Sequence, residues 1–482
     1  MATWLEHAES RAWMLLALAC VGSRLATTIT YIEDPDSLRF ALSVADAYDI
    51  ASFQPHFPGY PVFWAVVKPL YVLTGSFSTS FALVGGLATV GIVAAVLHLW
   101  GKRLRSVSGV ALAAAVLFNP LLWLMANRYM PDLLGTACAV GVLAVLLRAS
   151  SRDGAVDENA ARLGVVGAGL LAGLRLSYVP LVVLPVLWVL ARSKRPVRLL
   201  GAGMASVLVW LVPMVLDTGG ATLVDVAWAQ TDGHFTEFGG TVQTESDTGR
   251  RVAGMMQGLW ADGLGAWWPG RHPLTLAVGL GVMGCGGLGA AAWVRRVNLR
   301  SSRFWIGAAS VLVYAGWIFF FQNVIHKSRH VLPLVPLLLV PLAAGGAILW
   351  NGGGWQRGVA LAGLVAYSSV TLVLVQQHRT PSAIAQAKTF VETRAEQEGP
   401  TRVVSVPLVN TYLQQQRVDA QYVSIEDTTA IQRLRRAESG QTLVVGRYAS
   451  LLAREPTRVE RFYHNPYVNR MWPEVTVFVY EH

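Results

Sequence analysis

Three short segments hold carboxylates, cations and an imidazole at close spacing. Tyr31-Ile32-Glu33-Asp34-Pro35-Asp36-Ser37-Leu38-Arg39-Phe40 places three carboxylates within four residues. Gln54-Pro55-His56-Phe57-Pro58-Gly59-Tyr60-Pro61 holds a histidine and a tyrosine on a connection stiffened by three prolines. Asn127-Arg128-Tyr129-Met130-Pro131-Asp132 adds a further carboxylate and cation. A carboxylate in such a place takes a proton from an attacking hydroxyl. Cations hold anionic groups, and Arg175, Lys327 and Arg329 are the candidates. Arg175 lies inside the apolar run Gly167–Val183, and a charge within such a run usually faces a cavity or a partner. Structural roles compete for several of these residues. Asp34 followed by Pro35 has the N-cap and N1 pattern of a helix start, so capping is expected of Asp34. Asp36 then falls in the first turn, on a polar face with Arg39, Ser43 and Asp46. Pro131 likewise gives Asp132 a helix-start alternative, His56 suits a hydrogen-bonding turn, and Arg175 could snorkel.

The elements that must carry these residues are membrane helices. Of 482 residues, 53% are hydrophobic and only 14% charged, with a mean hydropathy of +0.44, which excludes an ordinary soluble protein. Stretches such as Phe81–Trp100 and Val107–Met125 match the hydrocarbon thickness of a bilayer. The net charge of +10 sits mostly in short turns between such stretches, where it sets topology, so no nucleic-acid partner is expected. The three cysteines, Cys20, Cys138 and Cys285, are scattered through apolar stretches without metal-ligand spacing. Glu6 and Glu9 replace a basic leader region, so the first apolar segment is expected to be retained as a helix.

Basic clusters at Lys102, Arg103 and Arg105, at Arg192, Lys194, Arg195 and Arg198, and at Arg295, Arg296, Arg300 and Arg303 predict three cytoplasmic turns. Helices near 12–31, 80–100, 107–127, 132–148, 163–178, 179–191, 198–216, 273–294, 304–321, 331–350 and 358–376 then give about eleven crossings. The N-terminus is expected in the cytoplasm of a cell with an inner membrane. Residues 32–79 form a first extracytoplasmic loop, and its apolar stretch Tyr60–Thr74, broken by Pro61, Lys68 and Pro69, predicts an interfacial helix. Residues 217–272 form a second large loop containing Asp232, His234, Glu237, Asp247 and His272, a candidate acceptor side. Residues 1–376 thus form a transmembrane domain, and residues 377–482 a separate one. In the latter, apolar runs at Val403–Val406, Gln421–Ile425, Thr442–Val445 and Val475–Tyr480 alternate with helical patterns. A small extracytoplasmic α/β domain is expected there. It lacks a phosphate-binding loop or paired catalytic signature, which favours docking, support or acceptor binding.

The three segments resemble the GT-C superfamily of glycosyltransferases that use polyprenyl-phosphate sugars, particularly its protein O-mannosyltransferase and aminoarabinose-transferase branch. Asp36-Ser37-Leu38-Arg39-Phe40 is similar to the acidic first-loop motif of that superfamily. His56-Phe57-Pro58-Gly59-Tyr60-Pro61 is similar to its H-x-P-G-Y-P segment, and Arg128-Tyr129-Met130-Pro131-Asp132 to its R-Y-x-x-P-D turn. His326-Lys327-Ser328-Arg329-His330-Val331-Leu332-Pro333 is similar to the basic turn before a late helix. The resemblance implies a GT-C-like polytopic fold and transfer of a sugar from a lipid-phosphate donor to a lipid, glycan or protein acceptor outside the cytoplasm. Asp36 and Asp132 would be the catalytic carboxylates, Asp36 the base in an inverting displacement. Arg128, Arg175, Lys327, Arg329, His56, Tyr60 and His234 would bind substrate. A divalent Mn²⁺, Mg²⁺ or Zn²⁺ on Asp34, Asp36 and Asp132, with Glu33 or His56 as further ligands, is an option that the residue types allow. The competing class is a secondary transporter or lipid flippase, which would show internal repeats and polar residues near the midplane. The acidic residues here gather instead at one face, and no clear repeat is present.

Overall fold

The computed structural model describes residues 2–149, 155–237, 240–296, 298–436 and 440–481, with side chains from His7 onward. Met1 and the Glu6 side chain therefore lie outside the described residues. The chain forms two compact units. One comprises Met1–Thr28 and Leu42–Gln376; the other joins Ile29–Ala41 to Gln377–His482. The acidic segment 29–41 is thus grouped with the C-terminal residues, and not with the helices that flank it in sequence. Hydrogen bonds described below tie it there.

The larger unit is helical. Its elements are α1 (Ala2–Ala26), the last turn of α2 (Pro35–Ala45), α3 (Pro61–Thr74), α4 (Phe77–Trp100), α5 (Val107–Leu117), α6 (Pro120–Asn127) and α7 (Asp132–Ala149). There follow α8 (Glu158–Arg175), α9 (Pro180–Arg192), α10 (Pro196–Thr218), α11 (Gly220–Thr236), α12 (Thr248–Met256), α13 (Leu274–Val294), α14 (Ser302–Phe321), α15 (Val335–Gly352) and α16 (Gly354–His378). Among the described residues eight helices are long and apolar enough to cross a bilayer, or nine if the bent pair α5–α6 is one span. The sequence-based count of eleven is reached only by adding the shorter α9 and the charge-bearing α1. At 14 residues, α3 is about 21 Å long, short of the ~30 Å hydrocarbon core.

The predicted continuous helix over 107–127 is broken. Asn119 caps a new helix by accepting from the Leu122 amide, and Pro120 occupies its first position, so α5 and α6 meet at 53°. The expected loop at 217–272 is largely helical as well. Gly219, at φ +84°, ends α10 and α11 begins at the next residue, while Asp247 caps α12. A π-helical stretch, Gln257–Gly263, extends α12.

Small residues set the tightest helix contacts, as expected where lipid supplies no hydrophobic drive. A Cβ on Gly85 of α4 would lie 2.0 Å from the Ala126 carbonyl oxygen of α6, and one on Gly345 of α15 would lie 1.8 Å from that of Cys285 in α13. Only glycine permits these backbone approaches. Helices α4 and α7 are the most buried spans, and both run between the same two ends of the bundle. At one end Phe81 packs on Tyr129, their centroids 4.8 Å apart; at the other Arg148 donates to the His98 carbonyl at 2.6 Å.

The smaller unit is α/β. After α17 (Ala383–Glu398) come β1 (Thr401–Ser405), α18 (Pro407–Gln414), β2 (Gln421–Ser424), α19 (Thr428–Arg436), β3 (Gln441–Val445), β4 (Arg458–Tyr463) and β5 (Glu474–Tyr480). The sheet order is β2-β1-β3-β5-β4, with β1 parallel to β2 and β3, and β5 antiparallel to β3 and β4. Strand β3 is buried along its whole length, and Val404, Val444, Ile431, Leu434 and Tyr480 form a core beside it. The sequence did not reveal β4, because this charged edge strand, Arg458 to Tyr463, has no apolar run to betray it.

Candidate active site

In the helical unit the second and third sequence segments converge on one buried ion pair. Asp132 opens α7 and Arg175 closes α8, and Arg175 Nη2 lies 2.9 Å from Asp132 Oδ1 with side-chain exposures of 7% and 1%. A Cβ on Gly135 would meet Arg175 Cβ at 2.8 Å, so this glycine lets α8 come close enough for the pair to form. The other guanidinium arm, Nη1, donates to the Tyr60 hydroxyl at 2.8 Å. The same hydroxyl lies within hydrogen-bond distance of His56 Nε2, 3.1 Å away. Tyr178 supplies a second hydroxyl, 3.2 Å from Asp132 Oδ1 and 3.0 Å from the Arg329 carbonyl, and donates to one of them at a time. Arg175 also stands 5.5 Å from the ring centres of both Tyr60 and Tyr178.

The helix-start alternative for Asp132 is not what its carboxylate does. Oδ1 takes the arginine and the tyrosine, while Oδ2 is buried and has no hydrogen-bond partner. Nor does Arg175 snorkel, since its head group is enclosed. A buried acceptor left open costs about 1–3 kcal/mol, so an unsatisfied oxygen here points to a group that arrives with a ligand.

The H-x-P-G-Y-P segment is shaped for this contact. Gly59 and Tyr60 both take left-handed backbone conformations, φ +81° and +50°. For a tyrosine that is an uncommon state, and it aims the ring from the start of α3 into the ion pair. Helix α3 also grips the last turn of α2: Lys68 Nζ donates to the Val44 carbonyl at 2.6 Å and Trp64 Nε1 to that of Ser43 at 2.8 Å. Lys68 therefore serves as a C-terminal cap. Nearby, the Tyr48 hydroxyl is held well above its ordinary value by burial and by Asp217.

The other sequence candidates make different contacts. Arg329 Nη1 lies 3.0 Å from Met130 Sδ, and His330 is within electrostatic reach of Arg329, Arg175, Lys327 and His234. Lys327 and Arg329 are half-buried, and Arg128 is buried in the turn between α6 and α7. His234 hydrogen-bonds the Phe321 carbonyl at 2.7 Å through Nε2 and does not touch the ion pair. Two participants were not nominated from sequence. Tyr178 and Tyr314, the latter donating to the His330 carbonyl at 2.8 Å, are both fully buried aromatics whose only signal was a polar tip within an apolar run.

The first sequence segment belongs to the smaller unit and is ordered there. Asp34 Oδ1 accepts from the Ser37 amide at 2.8 Å, the cap expected of it, and α2 begins at Pro35. Asp36 falls in the first turn of α2, with a side-chain exposure of 17% and an Arg39 Nη1 contact at 3.9 Å. Glu33 is fully buried.

Among the described residues no three His, Cys, Asp or Glu side chains come together. Asp34 is engaged as a cap, and Asp132 offers one open oxygen beside a guanidinium. Asp34, Asp36 and Asp132 are therefore not gathered into a metal-binding group among the described residues.

No protein-family model matches the sequence, and no curated protein matches it. Solved structures do. ArnT from Cupriavidus metallidurans bound to undecaprenyl phosphate is 15% identical, with 99% of this chain and 98% of that chain covered at a TM-score of 0.52. The Archaeoglobus fulgidus oligosaccharyltransferase in complex with Zn and sulfate is 11% identical over 90% of this chain and 67% of that chain, at a TM-score of 0.52. The same enzyme tethered with an acceptor peptide is 12% identical over 87% and 64%, at 0.50. At such identities the likeness is one of fold. This chain carries the multi-pass membrane fold shared by ArnT and the archaeal oligosaccharyltransferase, the GT-C fold that its three segments resemble.

Proposed function

We propose that this protein is a membrane glycosyltransferase that moves a sugar from a polyprenyl-phosphate donor to a hydroxyl acceptor. The observation that carries the proposal is the buried network His56–Tyr60–Arg175–Asp132–Tyr178, which joins the two later GT-C-like segments within a GT-C fold. ArnT, which this chain covers almost end to end, was crystallised bound to undecaprenyl phosphate.

In the proposed reaction the acceptor oxygen bonds to the anomeric carbon as the bond from that carbon to the phosphate oxygen breaks. The phosphate leaves with the electron pair, the hydroxyl proton passes to Asp36, and direct displacement inverts the centre. Arg175, Lys327 and Arg329 stabilise the charge growing on the phosphate. Asp132 contributes by fixing Arg175 in place, and its open Oδ2 receives a hydroxyl of the bound sugar. His56 and Tyr60 orient Arg175 from its other side, Arg128 lines the donor side, and His234 the acceptor side.

The basic cluster at Lys102, Arg103 and Arg105 lies at the end of α4 opposite to Tyr129 and Asp132. With positive charge kept inside, the N-terminus is cytoplasmic and the ion pair faces outward in the cell's inner membrane. A lipid, glycan or peptide on that side is the acceptor.

The test incubates purified protein in nanodiscs with a panel of undecaprenyl-phosphate sugars, following donor loss by mass spectrometry beside Asp36→Asn. Consumption of one donor, lost in the variant, establishes the activity and names the sugar. Absence of turnover across the panel, with lipid, glycan and peptide hydroxyl acceptors supplied, would overturn it.

A further inference from the structure

The smaller unit holds a buried polar cluster that the proposed reaction does not use. Glu33 is fully enclosed. Its Oε2 lies 2.9 Å from His378 Nε2, and its Oε1 accepts from Asn469 Nδ2 at 3.0 Å. Its backbone carbonyl accepts from Ser382 Oγ at 2.6 Å. The next carbonyl back, that of Ile32, accepts from Tyr412 Oη at 2.6 Å, and Tyr31 Oη donates to the His378 carbonyl at 2.8 Å. Asn469 Nδ2 also stands 3.5 Å from Asp34 Oδ2. Four residues from four places in the C-terminal sequence, His378, Ser382, Tyr412 and Asn469, thus grip the three residues Ile32–Asp34. His378, Ser382, Tyr412 and Asn469 are all buried, and burial pushes the Tyr412 hydroxyl up, with Asp34 and Glu33 adding to it.

We propose that the C-terminal α/β domain is a positioning device for Asp36, with Glu33 as its anchor. The inference rests on the proposed role of Asp36 as base. Glu33 immediately precedes the cap residue Asp34, whose bond to the Ser37 amide sets the first turn of α2. Asp36 is in that turn, so any shift of Glu33 is passed to it through two residues of chain and one cap. A bare loop of this kind would sample many orientations, and ordering it into one has an entropic cost that the buried bonds offset. A buried carboxylate surrounded by donors from a distant part of the chain is also costly to leave half satisfied, which makes the arrangement all-or-none. Had the domain served only to dock a partner, it would need no set of buried polar groups closing on the Glu33 carboxylate and the carbonyls beside it.

The experiment uses the full chain in nanodiscs, with the undecaprenyl-phosphate sugar consumed in the screen above. Glu33→Ala and Asn469→Ala are expected each to lower kcat about 10²-fold, the effect of misplacing a reacting group by about 1 Å. The KM for donor should stay within about twofold, since uniform binding is not what is lost. The double variant should fall no further than the worse single one. Glu33→Gln, which can still bond both neighbours, should restore most of the rate. A fall in Tm with kcat intact in both alanine variants would make the cluster purely structural and overturn the proposal, as would equal loss in Glu33→Gln and Glu33→Ala. If Glu33→Ala does not fold, Asn469→Ala and Glu33→Gln decide the matter. Full activity in Asp36→Asn would instead remove the reading on which the inference stands.

Discussion

Separating what the Asp132–Arg175 pair does for the fold from what it does for the reaction calls for three variants measured two ways. At 2.9 Å the Coulomb attraction is about 6 kcal/mol at an effective dielectric of ~20. Desolvation of two nearly enclosed groups offsets much of that, so the pair's net contribution is small while its disruption is not. Asp132→Ala leaves the buried Arg175 guanidinium without its counter-charge, beside only the neutral Tyr60 and Tyr178 hydroxyls, and is expected to cost about 3–5 kcal/mol of stability. Arg175→Met strands the carboxylate, already short of one partner at Oδ2, with a similar loss. The double variant Asp132→Leu/Arg175→Met leaves no buried charge. It should recover most of the stability, since the Tyr60 and Tyr178 hydroxyls keep His56 Nε2 and the Arg329 carbonyl as partners. Denaturant unfolding of the purified protein in detergent measures these three differences. Turnover of the lipid-phosphate sugar should not recover with stability, and should stay about 10²–10³-fold below wild type, the size of loss when one fixed donor to a developing oxyanion is removed. Wild-type turnover in the stable double variant would refute the role given to Arg175 and leave the pair a structural feature.

Other outcomes follow from the same geometry. Asp36→Asn should cut kcat at least 10²-fold, as for loss of a general base, while undecaprenyl phosphate binding, followed by native mass spectrometry, is retained; weakened lipid binding with kcat preserved would count against the base assignment. Tyr60→Phe keeps the ring over Arg175 but removes the hydroxyl that links it to His56, a loss of about 1 kcal/mol or fivefold in kcat, and equal rates in the two proteins would show that the link is idle. Gly345→Val puts its Cβ where the Cys285 carbonyl oxygen stands, 1.8 Å away, whereas a Cβ at Gly346 meets nothing within 4 Å. The first variant should give little monodisperse protein on size exclusion and Gly346→Ala should behave as wild type; a well-behaved Gly345→Val would contradict the backbone contact between α13 and α15.

Apolar runs of bilayer length were enough to find α4, α7, α10, α13, α14, α15 and α16 within a few residues, because lipid demands continuous hydrophobicity and internally bonded backbone. The same rule misled at 107–127, where composition stays apolar across Asn119-Pro120 while capping breaks the helix by 53°. It was silent on α11 and α12, which are too polar to look like spans, and on β4, an edge strand that buries little.

For the site, local spacing marked Asp34 as a cap and residue type singled out Arg175 and Arg329, while His56, Tyr60 and Asp132 were nominated by residue type together with the motif resemblance, since capping is local and a charge in an apolar run is costly wherever it ends up. That these residues meet was not in the spacing: Tyr60 and Arg175 are separated by 115 positions, and their contact depends on a left-handed tyrosine and on the missing Cβ of Gly135. Glu33 carried no signal beyond its charge. Its partners His378 and Asn469 lie 345 and 436 positions away, and pairing across such distances is decided by how the folded chain packs, because no local energy term records it.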